Sequence, residues 1–429
     1  MNNMHISITQ SLTIASTGLL LSLLSSYGSE ALAQNRDVAV VVVGQQQPLS
    51  PTAIKNSLPH RNSLAPLYLP NLTPSSQAEI NQSGVTPGVA TPGKVSNQGN
   101  RMNGEFSTNS ADNSIIPQAF GSFSVPYTSK RVSHLPTSAV GAGSNAYLSA
   151  TYPYRTMGRL TFNIGSRTTH CSATLIRRSV IVTAAHCIQD FGTGTSLFSG
   201  FTFTPASYNG SAPYGSWAWE SLVRPASWAN GTDTGSGAAR NNDLAVIALR
   251  KNSQGQFIGD ITGYLTYGWN NYSFVSSSRT GNLSVAALTT TGYPALSDSG
   301  RIMQRSDGPS YLTTVSGAKQ IYQGSNFTGG ASGGAWLANF GYQEPAFSGG
   351  ANAGNASIPN VIVGVTSWGS IDPNSPKDNY SSQFAQNTQY PSSSYGTFGA
   401  GNIGSLLNTL CSSRPSGSSQ TFQQLGYCN

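Results

Sequence analysis

Hydrolysis of an acyl bond by a side-chain hydroxyl needs four things: the hydroxyl, a base for its proton, a carboxylate to orient the base, and N–H donors for the oxyanion. One stretch of the chain suits the first and the last. Ser332 lies in Gly330-Ala331-Ser332-Gly333-Gly334, where the flanking glycines allow a tight turn that presents backbone N–H groups. Alone, this pattern fits more than one fold, and in a Gly- and Ser-rich chain it also fits a plain loop.

The histidines narrow the choice. His5, His60, His134, His170 and His186 all precede Ser332. A Ser–acid–His order, as in α/β-hydrolases, therefore has no base to use. A subtilisin order needs an aspartate ahead of the histidine, and only Asp37 and Asp112 qualify, both in low-complexity sequence. His–Asp–Ser remains. Between His186 and Ser332, Asp190, Asp233, Asp260, Asp298 and Asp307 sit in polar, turn-like contexts, whereas Asp243 leads straight into an apolar run at 244–249.

The elements that must carry these residues read as strands. Short β-branched and aromatic runs at 160–164, 180–183, 244–249 and 361–366 are separated by Gly, Asn and Pro, a pattern of sandwiches and barrels. His186 directly follows one run, in Thr183-Ala184-Ala185-His186-Cys187. Together with Cys171 to Ile176, this stretch resembles the strand pair and bridge that hold the base in chymotrypsin-like serine proteases. Asn242-Asp243-Leu244 resembles their buried-aspartate strand, Gly330 to Gly334 their nucleophile loop, and Thr366-Ser367-Trp368-Gly369 their substrate-binding strand. Two further fragments, at 150–162 and at 292–304, are similar to the bacterial glutamyl-endopeptidase-like branch, and the likeness covers roughly residues 150 to 410.

The resemblance implies an all-β fold of two six-stranded antiparallel Greek-key barrels with a short C-terminal helix. The first barrel would span about 150–265 and the second about 280–400, with the helix and a second disulfide at 401–429. It also implies a peptide-bond hydrolase working through an acyl-enzyme. Ser332 would be the nucleophile, His186 the base and Asp243 its orienting partner, with Gly330 and Ser332 N–H as the oxyanion hole. Ser367 would support Asp243, and Trp368 and Gly369 would pair with substrate. Asn326, six residues before the nucleophile, would form the pocket base, with Asp372 or Asp378 as alternatives. No metal or organic cofactor is required. Two departures matter. Ala331 replaces the aspartate that usually receives a new N-terminal ammonium. No histidine follows His186, and Thr366 stands beside Ser367, which argues against glutamyl specificity. A catalytically inactive binding homologue and a secreted esterase are the competing readings.

Composition sets the context. Of 429 residues only 9% are charged, and the net charge of +7 comes without a basic run. Nucleic acid is therefore not an expected partner. Protein or peptide substrates and a monomer are. An apolar stretch at 12–24, followed by Ala31-Leu32-Ala33, reads as a signal peptide over 1–33 and so as secretion. No later segment is apolar enough to span a membrane. Residues 34–131 read as a propeptide, largely disordered because so few apolar residues cannot offset the ordering entropy. The valine-rich run at 38–43 is the exception and could add a strand. Lys130-Arg131 is the expected processing site, which makes the protease domain 132–429 with Val132 as its first residue. Four cysteines fit an oxidising compartment. Their spacing suggests Cys171 with Cys187 and Cys411 with Cys428, although counting alone leaves three connectivities open.

Overall fold

The computed structural model describes residues 39–44, 47–61, 127–132, 148–233, 239–276, 278, 283–315, 318–341, 358–369, 377–391 and 394–429. The predicted signal peptide, most of the predicted propeptide and Asp372 lie outside the described residues.

Two closed six-stranded antiparallel barrels dominate. The first is built from β4 (Met157–Ile164), β5 (Arg167–Arg177), β6 (Val180–Thr183), β7 (Ser199–Pro205), β8 (Trp217–Pro225) and β9 (Ala245–Leu249). The second uses β11 (Ser284–Gly292), β12 (Gln304–Val315), β13 (Ala318–Gly324), β14 (Ala335–Ala338), β15 (Val361–Gly369) and β16 (Asp378–Gln383). Between the two barrels in sequence, the short β10 (Val275–Ser276) pairs with the start of β11. Around the first barrel the order is β4-β5-β6-β9-β8-β7, closed by β7 on β4. The second runs β11-β12-β13-β16-β15-β14, closed by β14 on β11. Both barrels thus follow one strand order, three strands joined in sequence and three that return, the connectivity of a Greek key.

Burial explains why the apolar runs had to be strands here. All of β6 and all of β9 are buried, because one face fills the barrel and the other is covered. Leu160, Phe162, Leu175, Ile181, Phe201, Phe203 and Ile247 fill the interior and are fully buried. Outside β8 and β9 packs the longest described helix (Gly401–Ser412), with Ile403, Leu406, Leu407 and Leu410 buried. The Cys411–Cys428 bridge ties the following turn to that helix. Closing a loop of this size stabilises by roughly 3 kcal/mol in the chain-entropy model. No described helix is long and apolar enough to cross a membrane.

Three short stretches of the N-terminal region pack on the barrels. The valine run forms β1 (Ala39–Val43) and pairs antiparallel with Ser221 to Pro225 of β8. That is the part of β8 beyond its pairing with β7, which involves only Trp217 and Ala218, so β1 covers an edge that would otherwise be open. Gly44 then lies flat on Trp219, where a Cβ would stand 2.5 Å from the ring carbons. A one-turn-and-a-half helix, α1 (Pro51–Asn56), starts at Ser50, whose hydroxyl accepts from Ala53 N–H, with Pro51 at the first helical position. Then β2 (Leu58–Pro59) pairs in parallel with Thr169 and His170 of β5.

A second ordered stretch, β3 (Thr128–Arg131), pairs antiparallel with β12. Val132 is buried and donates its N–H to Met303 O at 2.8 Å, and Arg131 forms an ion pair with Asp298. The Arg131–Val132 bond is therefore flanked by a strand and a buried residue instead of lying in an exposed loop.

Candidate active site

The base side comes from the first barrel. After β6 the chain makes one 3-10 turn, Ala185–Cys187, which carries His186. Two restraints hold that turn: the Cys171–Cys187 disulfide to β5, and a hydrogen bond from Thr183 Oγ1 to Ser172 O at 2.8 Å. Asp243 sits immediately before β9 and is fully buried. Its Oδ1 accepts from His186 N–H at 2.9 Å, and its Oδ2 lies 2.8 Å from His186 Nδ1. Ser367 Oγ donates to the same Oδ2 at 2.5 Å. Burial works against the Asp243 charge, but the adjacent His186 and these hydrogen bonds outweigh it and hold the carboxyl below its ordinary range. An ionised Asp243 accepts a hydrogen bond from His186 Nδ1–H, which leaves Nε2 as the acceptor. His186 Nε2 is buried and has no partner among the described residues.

The nucleophile side comes from the second barrel. Between β13 and β14 the chain turns through Gly330 (φ +93°) and Gly333 (φ +78°). Both glycines are needed for space as well as conformation. A Cβ on Gly330 would meet Tyr293 O and His170 Nε2, and one on Gly333 would collide with Thr183 Oγ1 and Ser172 O. The turn is pinned to its own barrel by Gly333 N–H on Thr366 O at 2.8 Å and by Thr366 N–H on Gly334 O at 2.9 Å. It is pinned to the other barrel by Ser172, whose N–H donates to Ser332 O at 2.7 Å and whose Oγ donates to Gly330 O at 2.9 Å. Ser172 neighbours Cys171, so one short stretch of β5 holds both the base turn and the nucleophile turn. Ala331 is buried against Gly292.

Along the substrate strand, Trp368 and Gly369 are half-buried at the end of β15. Thr366 is buried, and its Oγ1 accepts from Trp336 Nε1 at 3.0 Å. Asn326, expected at the base of a pocket, is exposed. Phe327 is buried in its place. Pairing of β16 with β15 sets Asn379 opposite Gly369, and the Asn379 amide fills the space where a Gly369 Cβ would project. Asn379 Nδ2 donates to Phe327 O at 3.0 Å and to Asp378 O at 3.2 Å, leaving Oδ1 buried and unpartnered among the described residues. Asp378 is buried too, and its charge raises the pKa of Tyr127, Tyr311, Tyr322 and Tyr380, each already pushed up by burial. Asn379 carried no signal in the sequence, because only the strand register puts it there.

A second group went unread: His60 and Arg61. His60 Nε2 is 3.0 Å from His186 O, and the two imidazole rings are stacked with centroids 5.7 Å apart. His60 O accepts from Gly330 N–H at 2.7 Å. Arg61 lies over Gly329. The one signal that could have pointed to this segment is Ser50 before Pro51, a helix start; the residues beyond α1 have no pattern of their own.

The Trypsin family model matches residues 147–390. The glutamyl endopeptidase of Bacillus licheniformis is 30% identical over 183 residues, 42% of this chain and 48% of that protein. An extracellular metalloprotease of Bacillus subtilis is 28% identical over 165 residues, covering 37% and 45%. The chain thus spans about half the length of the curated relatives it matches. Among solved structures, a thermostable serine protease from an extremophilic microorganism is 23% identical with a TM-score of 0.41, over 54% of this chain and 92% of that one. The family match extends over more than half of the sequence, and the chain belongs to the trypsin family.

Proposed function

We propose that this member of the trypsin family is a secreted serine endopeptidase that cleaves peptide bonds through an acyl-enzyme on Ser332. The observation that carries the reading is the fully buried Asp243, bonded at once to His186 Nδ1, His186 N–H and Ser367. A carboxylate buried this way serves little but to fix an imidazole, and the chain just before that imidazole, at Thr183 and Ala184, packs against Gly333 beside Ser332.

In that role His186 Nε2 takes the Ser332 proton as Oγ attacks the substrate carbonyl. Gly330 and Ser332 N–H receive the oxyanion, and Nε2 returns the proton to the leaving amine. Asp243 holds the tautomer and stabilises the imidazolium. Water then repeats the sequence to free the acyl group. The substrate backbone adds as a strand beside Trp368 and Gly369. The Asn379 amide under Gly369 shortens the pocket there, and being neutral it offers no charge to bind a carboxylate. That supports short, uncharged side chains before the cut bond over glutamate.

Secretion is supported by two disulfides with no free cysteine among the described residues and by the name of one relative, an extracellular metalloprotease. Maturation after Arg131 requires β3 to peel from β12 first, and N-terminal sequencing of the secreted form reads the boundary. For the activity, casein hydrolysis by the secreted protein should vanish in Ser332→Ala. A Ser332→Ala protein with wild-type rates overturns the assignment, and a wild type that neither cleaves nor reacts with a fluorophosphonate points to a binding homologue.

A further inference from the structure

Residues 54–61 end on the glycine turn that carries Ser332, and their direction is informative. Leu58 and Pro59 run parallel to Thr169 and His170 of β5. Next, His60 N–H donates to His170 O at 2.8 Å, and His60 O accepts from Gly330 N–H at 2.7 Å. Arg61 continues over Gly329. The segment therefore enters beside β5, puts a carbonyl on the oxyanion donor and leaves past Gly329. A substrate held along Trp368 and Gly369 runs the other way, with its leaving amine on the β5 side. In the reversed chain, the nitrogen after the His60 carbonyl belongs to Arg61, which lies over Gly329, so it is not on the β5 side where a substrate's leaving amine would be. The His60 ring, stacked over His186, also covers the base, whose own Nε2 goes without a partner among the described residues.

What holds the segment is a buried cation. Arg159 on β4 is completely buried, and its guanidinium donates to no carboxylate among the described residues. Its acceptors are Ile54 O (3.2 Å), Ser57 Oγ (2.6 Å) and His170 Nδ1 (2.8 Å). Two of the three belong to the N-terminal segment. Burial lowers the Arg159 pKa to about 10 and keeps His170 neutral, with the Arg159 charge adding to the effect on His170. A neutral His170 can accept at Nδ1 while its Nε2–H donates to Tyr293 O at 3.3 Å. A guanidinium in such a place needs acceptors from whatever peptide covers it.

From this we infer a peptide-binding site on the leaving-group side of the nucleophile, formed by Arg159, His170, the edge of β5 and Gly330 N–H, whose ligand is residues 54–61 of the same chain, bound against the substrate direction as a tethered inhibitor. The site recognises a helix-end carbonyl and a hydroxyl three residues apart, followed by an extended pair. This rests on Ser332 being the nucleophile.

The test is the rate at which a fluorophosphonate labels Ser332 in the full chain, scored at short times on the unprocessed species only. Wild type should label at least about tenfold more slowly than Ser57→Ala/His60→Gly, with thermal unfolding of the two compared in parallel. A synthetic peptide of residues 47–61 should slow the double variant again and be recovered uncut, whereas the peptide carrying both substitutions should not slow it. Equal labelling of wild type and double variant, or cleavage of the peptide after His60, overturns the inference and leaves the endopeptidase reading standing. If neither protein labels at all, the endopeptidase reading fails and takes this inference with it.

Discussion

The two halves of the site are in different conditions. On the first-barrel half, the Asp243–His186 pair is complete: both carboxylate oxygens are engaged and Ser367 donates to Oδ2. On the second-barrel half, the Gly330 N–H that should face substrate is occupied by His60 O, and His186 Nε2 reaches no serine. The contrast separates two requirements of the chemistry. Orienting the base depends on contacts inside the folded barrels. Accepting a substrate depends on removing a segment that borrows the same donors. The N-terminal segment thus acts on access and leaves the orientation of the base alone.

Breaking the complete half gives the largest effects. Ser332→Ala and His186→Ala should each lower kcat by about 10⁴- to 10⁶-fold in the active form, since residues acting as one unit are strongly non-additive. Asp243→Asn should cost about 10⁴-fold through the wrong imidazole tautomer while the fold persists. Casein or peptide kinetics on the purified variants read all three. A loss of less than tenfold in Asp243→Asn would mean that the pair does not orient the base.

The disulfides sharpen the comparison. Cys171–Cys187 clamps the base turn, whereas Cys411–Cys428 lies at the C-terminal helix. Cys187→Ser and Cys428→Ser should both lose about 2–5 kcal/mol of stability, measured by denaturant unfolding. Only the first should also lower kcat at a temperature where both variants are folded. Equal kcat losses would show that the clamp has no special hold on His186.

Acid separates the halves with a smaller effect. His60 is pulled from 6.5 to about 3, by burial first and then by the neighbouring His186 charge, with Asp243 opposing and Arg167 adding to the shift. A histidine depressed in the bound state favours binding above its ordinary value and loses that contribution as pH falls towards the depressed one. The seat of residues 54–61 should therefore weaken from about pH 6.5 downward, by up to tenfold per unit. The Asp243 carboxyl is also depressed, from 3.8. Its contribution is present above that value and lost only below it. Hydrogen exchange at pH 7, 5 and 4 should show 54–61 opening while 243–249 stays protected. Simultaneous opening of both would remove the distinction.

Legibility in the sequence divides along the same line. The proposed catalytic residues stand out because each sits in a local motif: His186 between a strand and a cysteine, Asp243 before an apolar run, Ser332 among glycines that the turn requires. The barrels were legible because β6 and β9 are apolar throughout. Residues 47–61 were not, because their order comes from distant partners, β5 and the buried Arg159, which composition over a hundred residues averages away, whereas the valine run before them stood out as a strand candidate. Asn379 was hidden for a related reason. Counting back six positions from Ser332 reaches Asn326, but which side chain fills the pocket is fixed by the register of β16 on β15, with its irregularity between Thr366 and Trp368.

The most direct test of the account traps the nucleophile itself. The active form, treated with a fluorophosphonate and mapped by peptide mass spectrometry, should carry one adduct on Ser332, formed at a rate that Asp243→Asn slows by orders of magnitude. An adduct on another residue, or continued peptide cleavage with Ser332 unmodified, would contradict it.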